Sequence, residues 1–307
     1  MKYHLLLRNL NYKNNDTCTL LLTLFVVLLY TIQTNIIREG KMQKSLKISK
    51  SAIIMEGVII GDNVTIEDNV YIDYGVIVRD NVHIKKGTTI GARCIIGEYL
   101  FDFFSNHINS PHPLVIGENC IIRSETIIYG DTEIGDYFQS GHRVTIREKT
   151  QIGKHVKIGT LSDIQGDCII GNYVSMHSNV HIGQKSIIKD YAWIFPYVVL
   201  TNDPTPPSTK MLGVTVEEFA VVSTGSILLP GVNIGRDSLV GAGAIVTKDV
   251  LEGKVYVGNP AREICDTIKI KDKESGKEIY PWRNSFERGM PWLGIGYEKW
   301  QKENNRE

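Results

Sequence analysis

The sequence has no excess of charge of either sign, since its 307 residues include 34 Lys and Arg against 34 Asp and Glu. Without a basic field to attract a polyanion, nucleic acid is not expected as a partner. The five cysteines show neither CxxC nor Cys/His zinc spacing, and their odd number argues against a closed disulfide framework. We therefore expect no metal, and a reducing, cytoplasmic compartment.

Long uncharged stretches are scarce, and the one long enough to cross a membrane is a run of 21 residues at positions 17–37. No small-x-small cleavage site follows its apolar centre, and several Thr, Gln and Asn residues weaken it as a membrane helix. Residues 1–41 therefore form an apolar N-terminal extension with three open interpretations. It is a membrane anchor, a secretory signal, or the product of a mis-assigned start with Met42 as the first residue. Only an anchor would tether the protein to a membrane.

A six-residue period runs through most of the chain. Large aliphatic residues occupy every sixth position in three blocks, at 54–96, 116–200 and 222–246. Of these 28 positions 27 are apolar, with Ser140 as the exception, whereas a composition of 42% hydrophobic residues would place about twelve there by chance. The period is therefore a real repeat.

A second column, two residues before the first, carries small or β-branched side chains, so both columns face the same side of a strand. Polar corner residues such as those at 61–63 follow each strand. A corner in every hexad excludes a helix and a flat sheet, and predicts an all-β chain wound into a coil of parallel strands. Cys94, Cys120 and Cys168 fall in the small inward column, so we expect buried thiols and not nucleophiles.

The hexad pattern resembles that of the hexapeptide-repeat acyltransferases over residues 50–265. The resemblance implies a left-handed parallel β-helix with three hexads per turn, about nine turns in this chain, and a homotrimer with active sites between protomers. The β-helix domain is placed at residues 42–265, with loop insertions at 97–113 and 201–219. Residues 266–307 form an aromatic tail that we expect to cap the end of the coil. Alternatively, it covers the coenzyme A groove or stabilises the trimer.

The last hexads are similar to the closing coils of that family, including its Gly-Asn-Pro-Ala motif at residues 258–261. In the family these coils line the groove for coenzyme A, so the resemblance implies acetyl-CoA or another acyl-CoA as co-substrate. The small residues would lie against the pantetheine and the cations would meet its phosphates. The candidate donor-binding residues are Gly241, Ala242, Gly243, Lys248 and Arg262. Alternatively, the glycines are ordinary corner residues and the cations are solvent-exposed surface residues with no ligand.

His142 is the catalytic candidate among the eight histidines, because histidine is the side chain best matched to proton transfer near neutral pH. It occupies a corner and should project outward. Just before it, Phe138 is bulky in the small column and Ser140 is polar in the aliphatic column, which looks like a volume-compensating exchange. Residues 141–148 also resemble a segment of sugar-modifying members of the family. His142 is either a general base or acceptor-positioning residue, or an ordinary corner histidine.

Other histidines have structural explanations. Tyr137, His155, Tyr173 and Tyr191 are spaced by 18 residues, one turn of the predicted coil, and should stack as a ladder on its outside. Asp163 lies one turn before His181 and could pair with it, as a surface contact that contributes little to stability.

Asn202 and Asp203 begin a loop that resembles the Thr-Asn-Asp-x-x-Pro loop of nucleotide-linked amino-sugar N-acetyltransferases. They could hold the amine or hydroxyls of an acceptor, or they could be ordinary turn residues. Sixty residues separate His142 from Asn202, so the two should lie on different edges of the coil.

These features predict an acyltransferase that moves an acetyl or other acyl group from acyl-CoA to an amine or hydroxyl of a sugar. A nucleotide-linked amino sugar for surface polysaccharide is one such acceptor. Two alternatives stay open. One is a non-catalytic β-helix scaffold or binding protein, and the other is a γ-type carbonic anhydrase with zinc on His142, His177 and His181.

Overall fold

The computed structural model describes residues 45–106 and 111–304, and the apolar extension at 1–41 lies outside these ranges. The described chain winds through strands that fall in turn on three faces of a coil, and each face is one sheet.

The first face contains ten strands: β1 (Lys47–Ile48), β4 (Thr65–Ile66), β7 (Val82–Ile84), β10 (Leu114–Ile116), β13 (Thr132–Ile134), β16 (Gln151–Ile152), β19 (Ile169–Ile170), β22 (Ile187–Ile188), β25 (Thr215–Val216) and β28 (Asn233–Ile234). The second face contains twelve: β2 (Ile53–Ile54), β5 (Tyr71–Ile72), β8 (Thr89–Ile90), β11 (Ile121–Ile122), β14 (Gln139–Ser140), β17 (Lys157–Ile158), β20 (Ser175–Met176), β23 (Trp193–Ile194), β26 (Val221–Val222), β29 (Leu239–Val240), β31 (Lys254–Val257) and β32 (Arg262–Asp266). The third face contains ten: β3 (Ile59–Ile60), β6 (Ile77–Val78), β9 (Ile95–Glu98), β12 (Ile127–Tyr129), β15 (Thr145–Ile146), β18 (Asp163–Ile164), β21 (His181–Ile182), β24 (Val199–Leu200), β27 (Ile227–Leu228) and β30 (Ile245–Val246).

Strands of successive turns pair in parallel, as in the register of Ile164 with Ile182. This arrangement confirms the predicted parallel β-helix of hexapeptide repeats. The coil has ten strands on its first face, one turn more than the sequence predicts. Lys47–Ile48 and Thr215–Val216 add two hexads to the 28 in the aliphatic column, and these two complete the tenth turn.

The second loop is shorter than the predicted range of 201–219. The coil resumes at β25, where Thr215 pairs with Ile187 and Val216 with Ile188. Val216 is fully buried and stands six residues before Val222, so the aliphatic column already extends into the range assigned to the loop. The position of β25 inside the range predicted as loop therefore follows from the same six-residue repeat.

The two inward columns form a continuous core. Val64, Ile66, Val70 and Ile72, for example, are exposed by no more than 1%. Cys94, Cys120 and Cys168 are completely buried within this core, as predicted. Burial raises the pKa of each of these three thiols to about 11, so at neutral pH they stay protonated and unreactive.

The corners expose the predicted aromatic ladder. The ring of His155 stacks between Tyr137 and Tyr173, with centroids 4.6 Å from each, and Tyr173 stacks on Tyr191 at 5.4 Å. Phe219 continues the stack 4.9 Å beyond Tyr191. The desolvation of His155 in this stack lowers the pKa of its imidazole, which favours the neutral ring.

Two segments depart from the coil. The first loop contains helix α1 (Phe101–Asn106), and the C-terminal segment contains the 3-10 turns η1 (Thr267–Lys269) and η2 (Trp282–Asn284) and helix α2 (Tyr297–Asn304). Within residues 45–106 and 111–304, no helix has the length and apolar character needed to span a membrane.

The C-terminal segment packs against the side of the coil. Strand β32 runs antiparallel to β31 and ends the second sheet. Trp282 and Trp292 then form an aromatic cluster with the outward-facing Tyr191, Trp193 and Phe219. The exposed ladder offers apolar surface along the flank of the coil, and the tail covers that surface. The expectation that the tail also caps the end of the coil stays a prediction.

Candidate functional site

The corners of the coil align into edges, and two of these edges hold the predicted site residues. We call the row of corners between the second and third faces the His142 edge, and it also contains Thr160, Ser178 and Ala242. The row between the third and first faces is the Asn202 edge, and it also contains Lys248.

A cleft of about 390 Å³ lies where the second face meets the His142 edge. Its floor is made by β14, β17 and β20, and its rim by the corners that follow them. His142 and His177 line it together with Arg123 and Lys157, and no carboxylate does. The cleft is therefore cationic, and it suits a ligand that carries negative charge.

His142 is exposed on the rim of this cleft. Its backbone N–H donates to Thr160 Oγ1 at 3.2 Å, which holds the corner against the next turn. Its ring makes no hydrogen bond, ion pair or ring contact with any described residue, so both ring nitrogens are available to a ligand. The predicted outward projection is therefore confirmed, while its catalytic role stays a prediction.

Phe138 and Ser140 lie behind the cleft, and both are completely buried. Ser140 Oγ accepts a hydrogen bond of 2.9 Å from the Arg123 backbone N–H, and the Ser140 carbonyl accepts one of 2.6 Å from Arg123 Nη1. The backbone carbonyl of residue 140 therefore holds the Arg123 guanidinium at the cleft wall, and the Ser140 hydroxyl holds the Arg123 backbone. Sequence reasoning found the exchange of Phe138 and Ser140 but missed Arg123.

His177 stands at a corner position that Gly141 and Gly159 occupy in the two preceding turns. Its ring stacks on Phe195, with centroids 4.8 Å apart and planes at 17°. The sequence suggested His177 only as a zinc ligand in the carbonic anhydrase alternative. Its place in the cleft could have been suspected from the sequence, because the two preceding turns have glycine at this corner position.

A histidine–carboxylate pair lies on the third face. His181 Nδ1 is 3.2 Å from Asp163 Oδ2, which confirms the predicted contact. Gln165 also donates to this carboxylate oxygen. The pair lies outside the cleft that His142 lines.

His112 joins the first loop to the coil. Its Nδ1 is 2.8 Å from Asp131 Oδ2 and its Nε2 is 3.0 Å from Asp102 Oδ2. Burial lowers the pKa of this imidazole, but the two carboxylates raise it more, and it ends above its ordinary value. His112 therefore acts as a clamp between α1 and a corner of the next turn.

Asn202 and Asp203 begin the second loop, on the other edge from His142, as the sequence predicts. Asp203 serves the loop itself, since Oδ1 accepts from Ser208 Oγ at 2.6 Å and from the Thr205 N–H at 3.0 Å. Its Oδ2 accepts from the Ser208 N–H at 2.8 Å. These bonds hold the pKa of Asp203 below its usual value. Asn202 is half-buried, and its carbonyl accepts from the Leu212 N–H at 2.8 Å.

The candidate donor-binding residues divide between the edges. Gly241, Ala242 and Gly243 lie on the His142 edge, five turns beyond His142, or roughly 24 Å at the spacing of paired strands. A Cβ on Gly241 would approach Val257 Cγ1 to 2.6 Å, so a larger residue there would force the Val257 side chain to move. Lys248 is exposed on the Asn202 edge, and Arg262 is exposed at the start of β32. One chain therefore does not gather the predicted set into a single pocket.

The zinc alternative lacks its ligand cluster within one chain. Among the described residues, no group of three or more His, Cys, Asp or Glu side chains is arranged to hold a metal ion.

Family models match three parts of the repeat. One described as bacterial transferase hexapeptide (six repeats) matches residues 149–184. A second, hexapeptide repeat of succinyl-transferase, matches residues 50–74 and 225–248. The coil of hexads and these matches show that the chain is built from hexapeptide repeats.

Among curated relatives, the chain is 26% identical over 187 residues to the bifunctional protein GlmU of Alkaliphilus metalliredigens, covering 61% of this chain and 38% of that protein. It is 34% identical over 101 residues to 2,3,4,5-tetrahydropyridine-2,6-dicarboxylate N-acetyltransferase of Staphylococcus aureus, covering 33% of this chain and 36% of that enzyme. The chain thus spans little more than a third of the length of these relatives.

Matches among solved structures include two acyltransferases. The Arabidopsis UDP-N-acetylglucosamine acyltransferase is 18% identical with a TM-score of 0.33, covering 71% of this chain and 74% of that one. A galactoside acetyltransferase in complex with coenzyme A is 24% identical with a TM-score of 0.33, covering 36% of this chain and 62% of that one.

Proposed function

We propose that the protein is an acyltransferase that moves an acetyl or other acyl group from acyl-CoA to an amine or hydroxyl of a sugar. The observation that carries this proposal is the cleft itself, where the unpartnered imidazole of His142 stands beside cations and no carboxylate. The bacterial transferase family model and the likeness to an N-acetyltransferase support the class of reaction.

In this reaction the acceptor nitrogen or oxygen attacks the thioester carbonyl and forms a tetrahedral oxyanion. His142 takes the proton that the acceptor loses, the carbon–sulfur bond breaks, and the imidazolium returns the proton to the departing thiolate. Backbone N–H groups at a corner would stabilise the oxyanion. An amine acceptor needs less help from the base than a hydroxyl does.

The donor would lie along the His142 edge. Gly241, Ala242 and Gly243 present little side chain there, which leaves room for an extended pantetheine arm. Lys248 and Arg262, both exposed, would bind its phosphates. The fully buried thiols at Cys94, Cys120 and Cys168 suit a reducing compartment such as the cytoplasm.

A homotrimer would complete the site. Asn202 and Lys248 lie on a different edge from His142, so a neighbouring protomer would have to bring its Asn202 edge to the cleft. In that arrangement Asn202 would hold the amine or hydroxyls of the acceptor, while Asp203 would shape the loop. Because the hydrogen bonds of Asp203 are used within its own loop, we assign the contact to Asn202 alone.

The test is release of coenzyme A from acetyl-CoA in the presence of a panel of sugars and sugar nucleotides, with products identified by mass spectrometry. His142→Asn should lower turnover about 100-fold or more, the usual contribution of a general base. His83→Asn is the matched control, since His83 is also partly exposed but pairs with Glu67 on the first face. Absence of turnover with every acceptor, or equal rates for the two variants, would overturn the proposal in favour of a non-catalytic scaffold.

A further inference from the structure

The C-terminal segment builds a second cavity on the second face of the coil. This pocket of about 190 Å³ is lined by Trp193, Phe195, Val221, Tyr280, Trp282 and Phe286. Three of these residues belong to the coil and three to the C-terminal segment, so the pocket exists only because the tail folds back along the flank. Trp193 meets Trp282 and Phe286 edge to face, with centroids 5.9 and 5.5 Å apart.

One polar group on this aromatic wall has no partner. The Trp193 indole N–H is buried and has no acceptor among the described residues, whereas that of Trp282 donates to the Phe219 carbonyl at 2.8 Å. A buried donor without an acceptor is costly unless a ligand satisfies it. A flat ring with carbonyl oxygens on its rim would supply both an apolar face and an acceptor.

The pocket adjoins the cationic cleft. Phe195 lines the pocket and stacks on His177, which lines the cleft. Lys157 projects from the second face between the pocket and His142, is exposed, and takes part in no ion pair within the described chain. The C-terminal segment reaches this lysine as well, since its Nζ lies 3.3 Å from where Gly289 would carry a Cβ.

Along the second face, the aromatic pocket therefore comes first, the unpaired Lys157 next, and His142, the candidate base, last. Three turns separate Trp193 from Gln139, beside His142, which is roughly 14 Å at the spacing of paired strands. A nucleoside diphosphate sugar has the same order, with a planar base, two phosphates and then the reacting sugar. Coenzyme A carries a long pantetheine arm between its diphosphate and its thioester. If its base lay in this pocket, its thioester would therefore lie beyond His142.

We propose that the aromatic pocket and Lys157 bind the nucleoside diphosphate part of a sugar-nucleotide acceptor, with the base beside Trp193 and the diphosphate on Lys157. This inference rests on the proposed acyl transfer for its choice of acceptor, but the binding itself requires no acyl donor. It gives the C-terminal segment a role in substrate recognition.

The experiment is calorimetric titration of the full chain with uridine diphosphate, guanosine diphosphate and coenzyme A, without acyl donor. We expect a nucleoside diphosphate to bind, and Lys157→Gln to weaken it about tenfold, the effect of losing one charge-assisted contact to a phosphate. Trp193→Phe keeps an aromatic ring but removes the indole N–H, and should weaken binding while coenzyme A affinity stays unchanged. Lys50→Gln, at an exposed corner between the first and second faces and outside both proposed edges, should change nothing.

Three results would overturn the inference. The first is that neither nucleoside diphosphate binds at millimolar concentration, and the second is that both variants bind it as tightly as the parent does. The third is that the variants lose affinity for coenzyme A instead, which would assign the pocket to the donor. Thermal melting of each variant separates loss of binding from loss of fold. Nucleotide binding without any acyl transfer would reject the proposed reaction and leave this inference standing.

Discussion

Asp163 Oδ2 lies 3.2 Å from Nδ1 of His181, its neighbour one turn along the third face. Burial acts to raise the pKa of Asp163, but the hydrogen bonds from His181 and Gln165 lower it more, so the carboxylate is ionised at neutral pH. Both side chains are partly exposed, at 43% for His181 and 36% for Asp163, and ion pairs in such positions contribute little free energy. The pair therefore orients a histidine outside the cleft.

We predict that Asp163→Asn and His181→Asn, combined in a double-mutant cycle, show a coupling free energy of about 1 kcal/mol or less. Urea unfolding followed by circular dichroism measures it. Turnover of each variant should stay within about threefold of the parent, because His142 and not His181 is the proposed base. A folded His181→Asn protein without turnover would instead assign the base to His181.

The exchange of Phe138 and Ser140 predicts strongly non-additive substitutions. Phe138→Val should leave a cavity and cost about 2 kcal/mol or more, and Ser140→Ile should overpack the core and cost about 1–3 kcal/mol. The double variant should recover part of this loss, because the bulky and small side chains then return to their usual columns. Free energies of unfolding from urea titration test this. If the losses of unfolding free energy of the two single variants simply add in the double variant, the two side chains do not compensate for each other's volume.

Stability should depend on pH through His112. Its pKa is raised in the folded protein, so its contribution is complete below pH 6.5, the ordinary value, and is lost as the pH rises through the raised pKa. We expect the parent to have a higher melting temperature than His112→Gln at low pH. The difference between the two should shrink as the pH increases above 6.5. Melting temperatures across this range measure it. A difference that grows with pH would contradict the clamp to Asp102 and Asp131.

The buried thiols should resist modification. Since the pKa of Cys94, Cys120 and Cys168 is about 11 and each is fully buried, a thiol reagent at neutral pH should leave them unmodified in the native protein. Cys265 is partly exposed and should react. Mass spectrometry after short exposure, compared with a sample in denaturant, locates the labels. Native labelling of Cys120 would show that the core opens.

The coil was predictable because its rule is local and repeated. One inward aliphatic residue per hexad determines the strand, the corner and the face, and even the missed strand at Thr215–Val216 obeys that rule. The ladder through His155 was predictable for the same reason, since a spacing of one turn places side chains directly above one another.

The aromatic pocket was not predictable, because it depends on where a non-repetitive tail returns to the coil. Nothing in the sequence around Trp282 or Phe286 identifies Trp193 as its partner. The position of His142 on the cleft rim followed from its place in a hexad, but the contacts of Arg123 with Ser140 and of His177 with Phe195 are made between turns and need the folded coil.

The regular stacking of turns makes the spacing between sites on one edge adjustable in equal steps. Insertion or deletion of 18 residues would leave every remaining side chain on its own edge, as the pairing of Thr145 with Asp163 and of Asp163 with His181 shows. Such a change between His142 and Gly241 would lengthen or shorten their separation by one strand spacing, about 4.8 Å. Chains of this design can therefore be fitted to longer or shorter substrates by whole turns, without redesign of any corner.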